Sequence, residues 1–166
     1  QIILMQLFEQ YIQEQKPDLV LFQDYNKGML TEWVITKAIS ICKQAGVLTA
    51  VDPKKKNFFA YKQVDLFKPN LKEVSEALSR NIQSEQDIQQ AAQSLKEQLQ
   101  ADMVMITLSE KGAMLLGEHY HHTAAIKRNI VDVSGAGDTV IAVASLCLAN
   151  QMREREILHY SNLAGG

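Results

Sequence analysis

The sequence predicts an α/β fold built on an open, mostly parallel sheet flanked by helices. Three observations carry that expectation. Short apolar runs alternate with stretches of helical period, the pattern of parallel strands joined by right-handed crossovers. Polar clusters at Asp24, Asp52, Asn70, Thr107 and Asp138 fall just after those runs, or just before helices that follow them. Ligands in such sheets bind at the carboxyl ends of strands. A glycine turn, Gly135-Ala136-Gly137-Asp138, leads straight into the apolar run Val140 to Ala149. At 166 residues, with no internal repeat and no linker, the chain reads as one domain, 1–166, large enough for a real core.

The elements follow in order. Leu4, Leu7, Phe8, Tyr11 and Ile12 lie at helical spacing, and Pro17 stops that helix. Leu19 to Phe22 is a continuous apolar run, the mark of a strand covered on both faces. Thr31 caps a helix carrying Val34, Ala38, Ile41 and Cys42, and Gly46 closes it. Val47 to Val51 is the next strand. Asn57 to Lys68 is aromatic and irregular, with a short strand at 65–68. Asn70 opens a helix, and Ser84 with Asp87 makes a capping box for another. That second helix has an apolar stripe of Ile88, Ala91, Ala92, Leu95 and Leu99. Met103 to Leu108 is a strand, and 112–116 and 119–123 form a hairpin turning at Gly117. Ile130 to Val133 leads into the glycine turn. A last helix runs from about Arg153 towards Leu163.

Composition excludes several function classes. The chain is 46% hydrophobic and 22% charged with a net charge of −2, which suggests neither a nucleic-acid nor a membrane-surface partner. The longest apolar stretch is too short to span a bilayer. Cys42 and Cys147 sit in apolar helical patterns and read as buried free thiols, consistent with a reducing cytoplasm. His119 and His121 share one strand face while His122 points away. With no Cys or carboxylate at ligand spacing, they read as ordinary strand residues. Lys54-Lys55-Lys56 reads as a solvated loop.

The glycine turn is where chemistry is expected. Without Cβ atoms, backbone N–H groups can converge, and at the first turn of a helix they have no partners. Such a turn binds anions, helped by the helix dipole. Asp138 would repel a bound anion unless it takes a proton from a nucleophile beside it. A tight turn with a favourable first-turn acid is the competing account. A dinucleotide fingerprint would need glycine at position 140, where Val140 stands, and belongs to the first βα turn of a fold.

On Val133-Ser134-Gly135-Ala136-Gly137-Asp138-Thr139, Pro69-Asn70-Leu71-Lys72-Glu73 and Thr107-Leu108-Ser109-Glu110-Lys111-Gly112, the chain resembles the phosphofructokinase-B/ribokinase family of carbohydrate kinases. Asp24-Tyr25-Asn26-Lys27-Gly28 and Val51-Asp52-Pro53-Lys54 look most like its heptose 7-phosphate kinase branch. The resemblance implies a ribokinase-like, Rossmann-like sheet, incomplete here, because family members run to roughly twice this length. Their amino-terminal strands and lid, and most sugar contacts, are not visible in this sequence. It therefore implies the carboxyl-terminal, ATP-binding and catalytic half of a sugar kinase using ATP and Mg²⁺. Relatives often dimerise through the lid, which is not visible here; an exposed sheet edge and open apolar face would favour association, so a homo-oligomer is among the expectations.

The resemblance also implies roles. Asp138 matches the catalytic base, and Gly135, Ala136 and Gly137 match the phosphate-binding turn. Asn70 and Glu73 match a pair that places Mg²⁺ and phosphate through water; a plain helix cap explains the same two residues. Thr107 and Gly112 match the border of the ATP phosphates and ribose, or are simply a strand end and a turn glycine. Asn162 matches a position near the adenine, against an exposed helical Asn. Lys54 is set to face nucleotide phosphates, and Asp24 and Lys27 the sugar or its phosphate, against solvated loop charges. Ribose, fructose or a nucleoside are the alternative acceptors. A nucleotide-binding module without turnover is the alternative of another class.

Overall fold

The apolar runs assemble into one six-stranded sheet. Its strands are β1 (Leu19–Gln23), β2 (Leu48–Asp52), β3 (Leu66–Phe67), β4 (Met103–Thr107), β5 (Ala113–Leu116) and β6 (Tyr120–Thr123). They lie side by side in that order. β1 to β4 are parallel, and β5 and β6 return antiparallel as the predicted hairpin. The helices are α1 (Ile2–Gln15), α2 (Glu32–Ala45), α3 (Leu71–Leu78), α4 (Glu85–Leu99), α5 (Ala136–Ala149) and α6 (Glu154–Gly165). This computed structural model describes residues 1–125 and 135–165. The stretch 130–133 that leads into the glycine turn, with Ser134 of the motif, lies outside the described residues.

Period-two alternation along the strands divides the core in two. Val51, Phe67, Val104, Ile106, Met114 and Leu116 face one side, where they pack with residues of α2, α3 and α4. Ala50, Leu66, Met105, Ala113 and Leu115 face the other, against Ile141, Ala144 and Leu148 of α5 and Ile157 and Leu158 of α6. The α4 stripe is buried as expected, with Leu95 and Leu99 fully covered. Each such leucine contributes about 1.5–3 kcal/mol over an exposed one.

The predicted helix ends are in place. Thr31 accepts from the Val34 amide, and Gly46 closes α2 with φ 69°. Capping boxes start α3 at Asn70 and Glu73 and α4 at Ser84 and Asp87. Two expectations need correction. β1 is not covered on both faces: Phe22 is its one buried residue. Among the described strands it pairs only with β2, so it is an edge. For the same reason the apolar stripe of α1 is split. Met5 and Ile12 are buried, whereas Leu4, Leu7 and Tyr11 are 40%, 60% and 56% exposed. The α1 face that packs against α2 is covered, and no described strand lies outside β1 to cover the other.

Gly112, at the turn between β4 and β5, has φ 90° and ψ −133°, a region open essentially to glycine alone. A Cβ there would overlap the Thr123 carbonyl and approach Ala124 C to 2.6 Å. Strain and overpacking act together, so Gly112→Ala is expected to lower unfolding free energy by about 2 kcal/mol or more. Urea denaturation of the two proteins measures it.

Candidate active site

Sheet register brings four strand ends to one level. Gln23 stands beside Asp52 in the β1–β2 ladder, and the Asp24 amide donates to the Asp52 carbonyl at 3.1 Å. Beyond β3, the Lys68 amide donates to Val51 O. Asn70 bridges Thr107 at the end of β4. α5 begins over this row. Gly135 is its N-cap at φ 80°, and Ile141 and Ala144 of α5 pack on Ala50, Leu66 and Met105. The first-turn amides of Ala136, Gly137 and Asp138 therefore open towards the strand ends, where the dipole favours negative charge.

Charged side chains fill the space between. The Asp138 carboxylate is half-buried and does not enter the core. Its Oδ1 accepts from Gln23 Nε2 at 2.5 Å and its Oδ2 from the Tyr25 hydroxyl at 3.1 Å. The bond to Asp138, with the nearby Asp138 and Asp52 charges, holds the Tyr25 phenol above its ordinary range, against a smaller pull from Lys54. Lys68 is buried and pairs with the buried Asp52 at 3.2 Å. Its ammonium also lies 3.8 Å from where a Cβ on Gly137 would sit. A buried cation thus underlies the glycine turn. Burial pushes the Asp52 carboxyl up, although Lys68 and Lys54 pull it down. Lys54 pairs with Glu73 at 2.6 Å. Burial opposes the charge on Lys54, yet Glu73, Asp52 and Asp138 together hold its ammonium above the usual range.

The predicted residues divide into groups. Gly135, Ala136, Gly137 and Asp138 start α5, and Lys54, Asn70, Glu73 and Thr107 stand at the strand ends, where Lys54 binds Glu73 and feels the Asp138 charge and Asn70 bridges Thr107. Asn70 and Glu73 form a complete capping box: Glu73 N donates to Asn70 Oδ1 and Asn70 N to Glu73 Oε2. Glu73 still faces the site through its second oxygen, which holds Lys54. Gly112 and Asn162 meet at a neighbouring corner, where Asn162 Nδ2 donates to Ala124 O at 2.9 Å. Asn162 is 8% exposed, so the exposed-Asn account fails. Asp24 is buried, with one oxygen taken by the Tyr61 hydroxyl and the other by the Asn26 amide. Lys27 is exposed on the loop after β1.

Sequence reasoning missed Gln23, Tyr25 and Lys68. The available signal for Lys68 was its position between the short β3 strand and Pro69, where a lysine at a strand end faces whatever the neighbouring strand ends face. The lysine run is only partly solvated, since Lys54 is bound as described and Lys55 pairs loosely with Glu76. His119 precedes β6, and His121 contacts Glu154. Among the described residues no group of three or more His, Cys, Asp or Glu could hold a metal, and no helix is long and apolar enough to cross a membrane. Cys42 and Cys147 are buried and free.

The pfkB carbohydrate kinase family matches residues 7–166. The bifunctional protein HldE of Campylobacter fetus subsp. fetus is 40% identical over 147 residues, which are 89% of this chain and 32% of that protein. HldE of Desulfatibacillum aliphaticivorans is 37% identical over 166 residues, 98% of this chain and 34% of that one. The chain thus spans about a third of the length of these curated relatives. Among solved structures, Escherichia coli phosphofructokinase-2 superposes with a TM-score of 0.86 at 22% identity, over 97% of this chain and 54% of that chain. An Arabidopsis thaliana ribokinase complexed with ribose and ATP gives 0.79 at 20% identity, over 97% and 50%. At these identities the structural likeness establishes the fold alone.

Removing the buried cation tests the electrostatics. Lys68→Met leaves the Asp52 carboxylate buried and unpaired, a loss of about 3 kcal/mol at neutral pH. Asp52 already binds its proton more tightly when folded than an ordinary carboxyl does, and losing Lys68 tightens it further. The deficit relative to wild type is therefore largest above that raised pKa and shrinks as pH falls through it. Denaturation curves of both proteins at pH 7.5 and pH 5 measure it. Lys68→Met/Asp52→Asn should recover most of the loss at both.

Proposed function

Because the chain belongs to the pfkB family of carbohydrate kinases, we propose that it carries the ATP-binding and catalytic part of a kinase for a sugar or sugar-phosphate hydroxyl. One observation carries the reading. The Asp138 carboxylate, on the first turn of α5, is turned out towards the strand ends beside open amides and a buried lysine. A charged base next to an anion site suits transfer of a phosphoryl group to an alcohol.

In this reading the amides of Ala136, Gly137 and Asp138, with Lys68 beneath, receive the γ-phosphate of ATP. The acceptor oxygen lies against Asp138. As its bond to phosphorus forms and the bond to the bridging oxygen of ADP breaks, the hydroxyl proton passes to the carboxylate. Phosphoryl transfer has a loose transition state, so proton transfer comes late and a weak base suffices. Most of the rate enhancement then comes from placement and from donors fixed where charge develops.

Mg²⁺ would neutralise phosphate charge. The donor set fits an ion that keeps most of its waters, since Glu73 and Asn70 offer hard oxygens and, among the described residues, no group of three or more ligating side chains is assembled. Glu73 would hold such a water once Lys54 turns to the phosphates. Thr107, Gly112 and Asn162 would border the nucleoside. Lys27, exposed on the β1 loop, would reach an acceptor phosphate. Asp24 holds that loop through Tyr61 and Asn26. In this reading the acceptor is a heptose 7-phosphate, phosphorylated at its anomeric hydroxyl, rather than ribose, fructose or a nucleoside; the similarity to HldE proteins supports the heptose-phosphate class.

Asp138→Asn is expected to reduce turnover by roughly 10²-fold or more, the range of a general base, with nucleotide binding retained. Single-turnover transfer from labelled ATP measures it, and near-normal turnover would remove Asp138 from the role. Glu73→Gln separates the two accounts of that residue. A weakened response to Mg²⁺ concentration marks a metal role. A lowered melting temperature with unchanged Mg²⁺ response marks the cap alone.

A further inference from the structure

Four helices in this chain carry an acid at their third position. In α3, α4 and α6 that acid folds back on its own helix. Glu73 accepts from the Asn70 amide, Asp87 from the Ser84 amide and Glu156 from the Arg153 amide. This is the ordinary outcome, because an N-terminal amide is the nearest unsatisfied donor. Asp138 in α5 differs. Its partners among the described residues are Gln23 and Tyr25, 115 and 113 positions away in sequence. The side chain is drawn across the site rather than back along its helix.

The two partners are held differently. Gln23 ends β1 and is fixed in register beside Asp52, and its bond to Asp138 is the shorter. Tyr25 lies on the loop beyond, 57% exposed, near two left-handed residues, Asn26 at φ 55° and Gly28 at φ 90°. Its bond is longer, at 3.1 Å. The amide of Gln23 can only donate to the carboxylate. The hydroxyl of Tyr25 donates to the carboxylate, the bond an acceptor alcohol would make.

We propose that Gln23 is a positioning residue that fixes Asp138, and that the Tyr25 hydroxyl holds the acceptor's place on that carboxylate until an alcohol displaces it. The inference rests on Asp138 being the base. With Tyr25 in place, water is kept from the carboxylate, so ATP is spared when no acceptor is bound. On displacement, the sugar hydroxyl inherits a base already oriented by Gln23.

The test uses the whole protein that contains this chain, with MgATP alone, so that water is the acceptor. Water oxygen bonds to the γ-phosphorus, its proton goes to Asp138, and ADP leaves. Tyr25→Phe should raise this slow hydrolysis by roughly 2- to 10-fold, the weight of one net hydrogen bond. Gln23→Met should lower it by roughly 10-fold or more. Gln23→Asn, which keeps the amide but shortens its reach, should do the same with an unchanged melting temperature. A second readout needs no turnover. The Tyr25 phenol, followed by ¹³C NMR, should titrate above the ordinary value of roughly 10 and fall towards it in Asp138→Asn. Opposite signs for Tyr25→Phe and Gln23→Met, with the displaced phenol titration, support the proposal. Loss or no change of hydrolysis in Tyr25→Phe, or a phenol at its ordinary value in the wild type, overturns it. If Asp138→Asn hydrolyses ATP at the wild-type rate, it is the assignment of the base that fails.

Discussion

The site depends on a register. β1 to β4 are parallel and end at the same level, so each delivers its first residues past the strand to one row. The packing of α5 on Ala50, Leu66 and Met105 then sets the height at which its first turn meets that row. A slip of one residue in any ladder would turn the strand-end side chains to the opposite face. Gln23, Asp52 and Lys68 stand beneath the first turn of α5 because three ladders and one helix–sheet contact agree.

Electrostatics follows from that geometry. Negative groups at 52, 73 and 138 alternate with ammonium groups at 54 and 68. Each lysine is partnered by a carboxylate, so the buried cation beneath Gly137 is tolerated. The same lysines are the groups an incoming phosphate would attract. In the proposed reading, this network of paired charges beneath the first turn of α5 would meet an anion without carrying uncompensated charge.

Much of this was legible in the sequence, because local signals act locally. Thr31, Gly46, Ser84 with Asp87 and Asn70 with Glu73 terminate helices through contacts within a few residues, and they do so here. The glycine turn and Asp138 were legible for the same reason. What was not legible depends on residues far apart. Nothing near Gln23 or Tyr25 announces a carboxylate 113 or more positions later. Nothing near Asn162 predicts its burial on the Ala124 carbonyl. The apolar run of β1 also reads like a central strand, whereas among the described strands β2 alone pairs with it.

The central claim is that the first turn of α5 receives a phosphate. Backbone amide NMR of the protein during titration with MgADP and then MgATP tests it most directly. The account predicts the largest shifts at Ala136, Gly137 and Asp138, with the Lys68 side chain following on addition of the γ-phosphate. Shifts confined to other surfaces, with these three amides unmoved at saturating nucleotide, would contradict it.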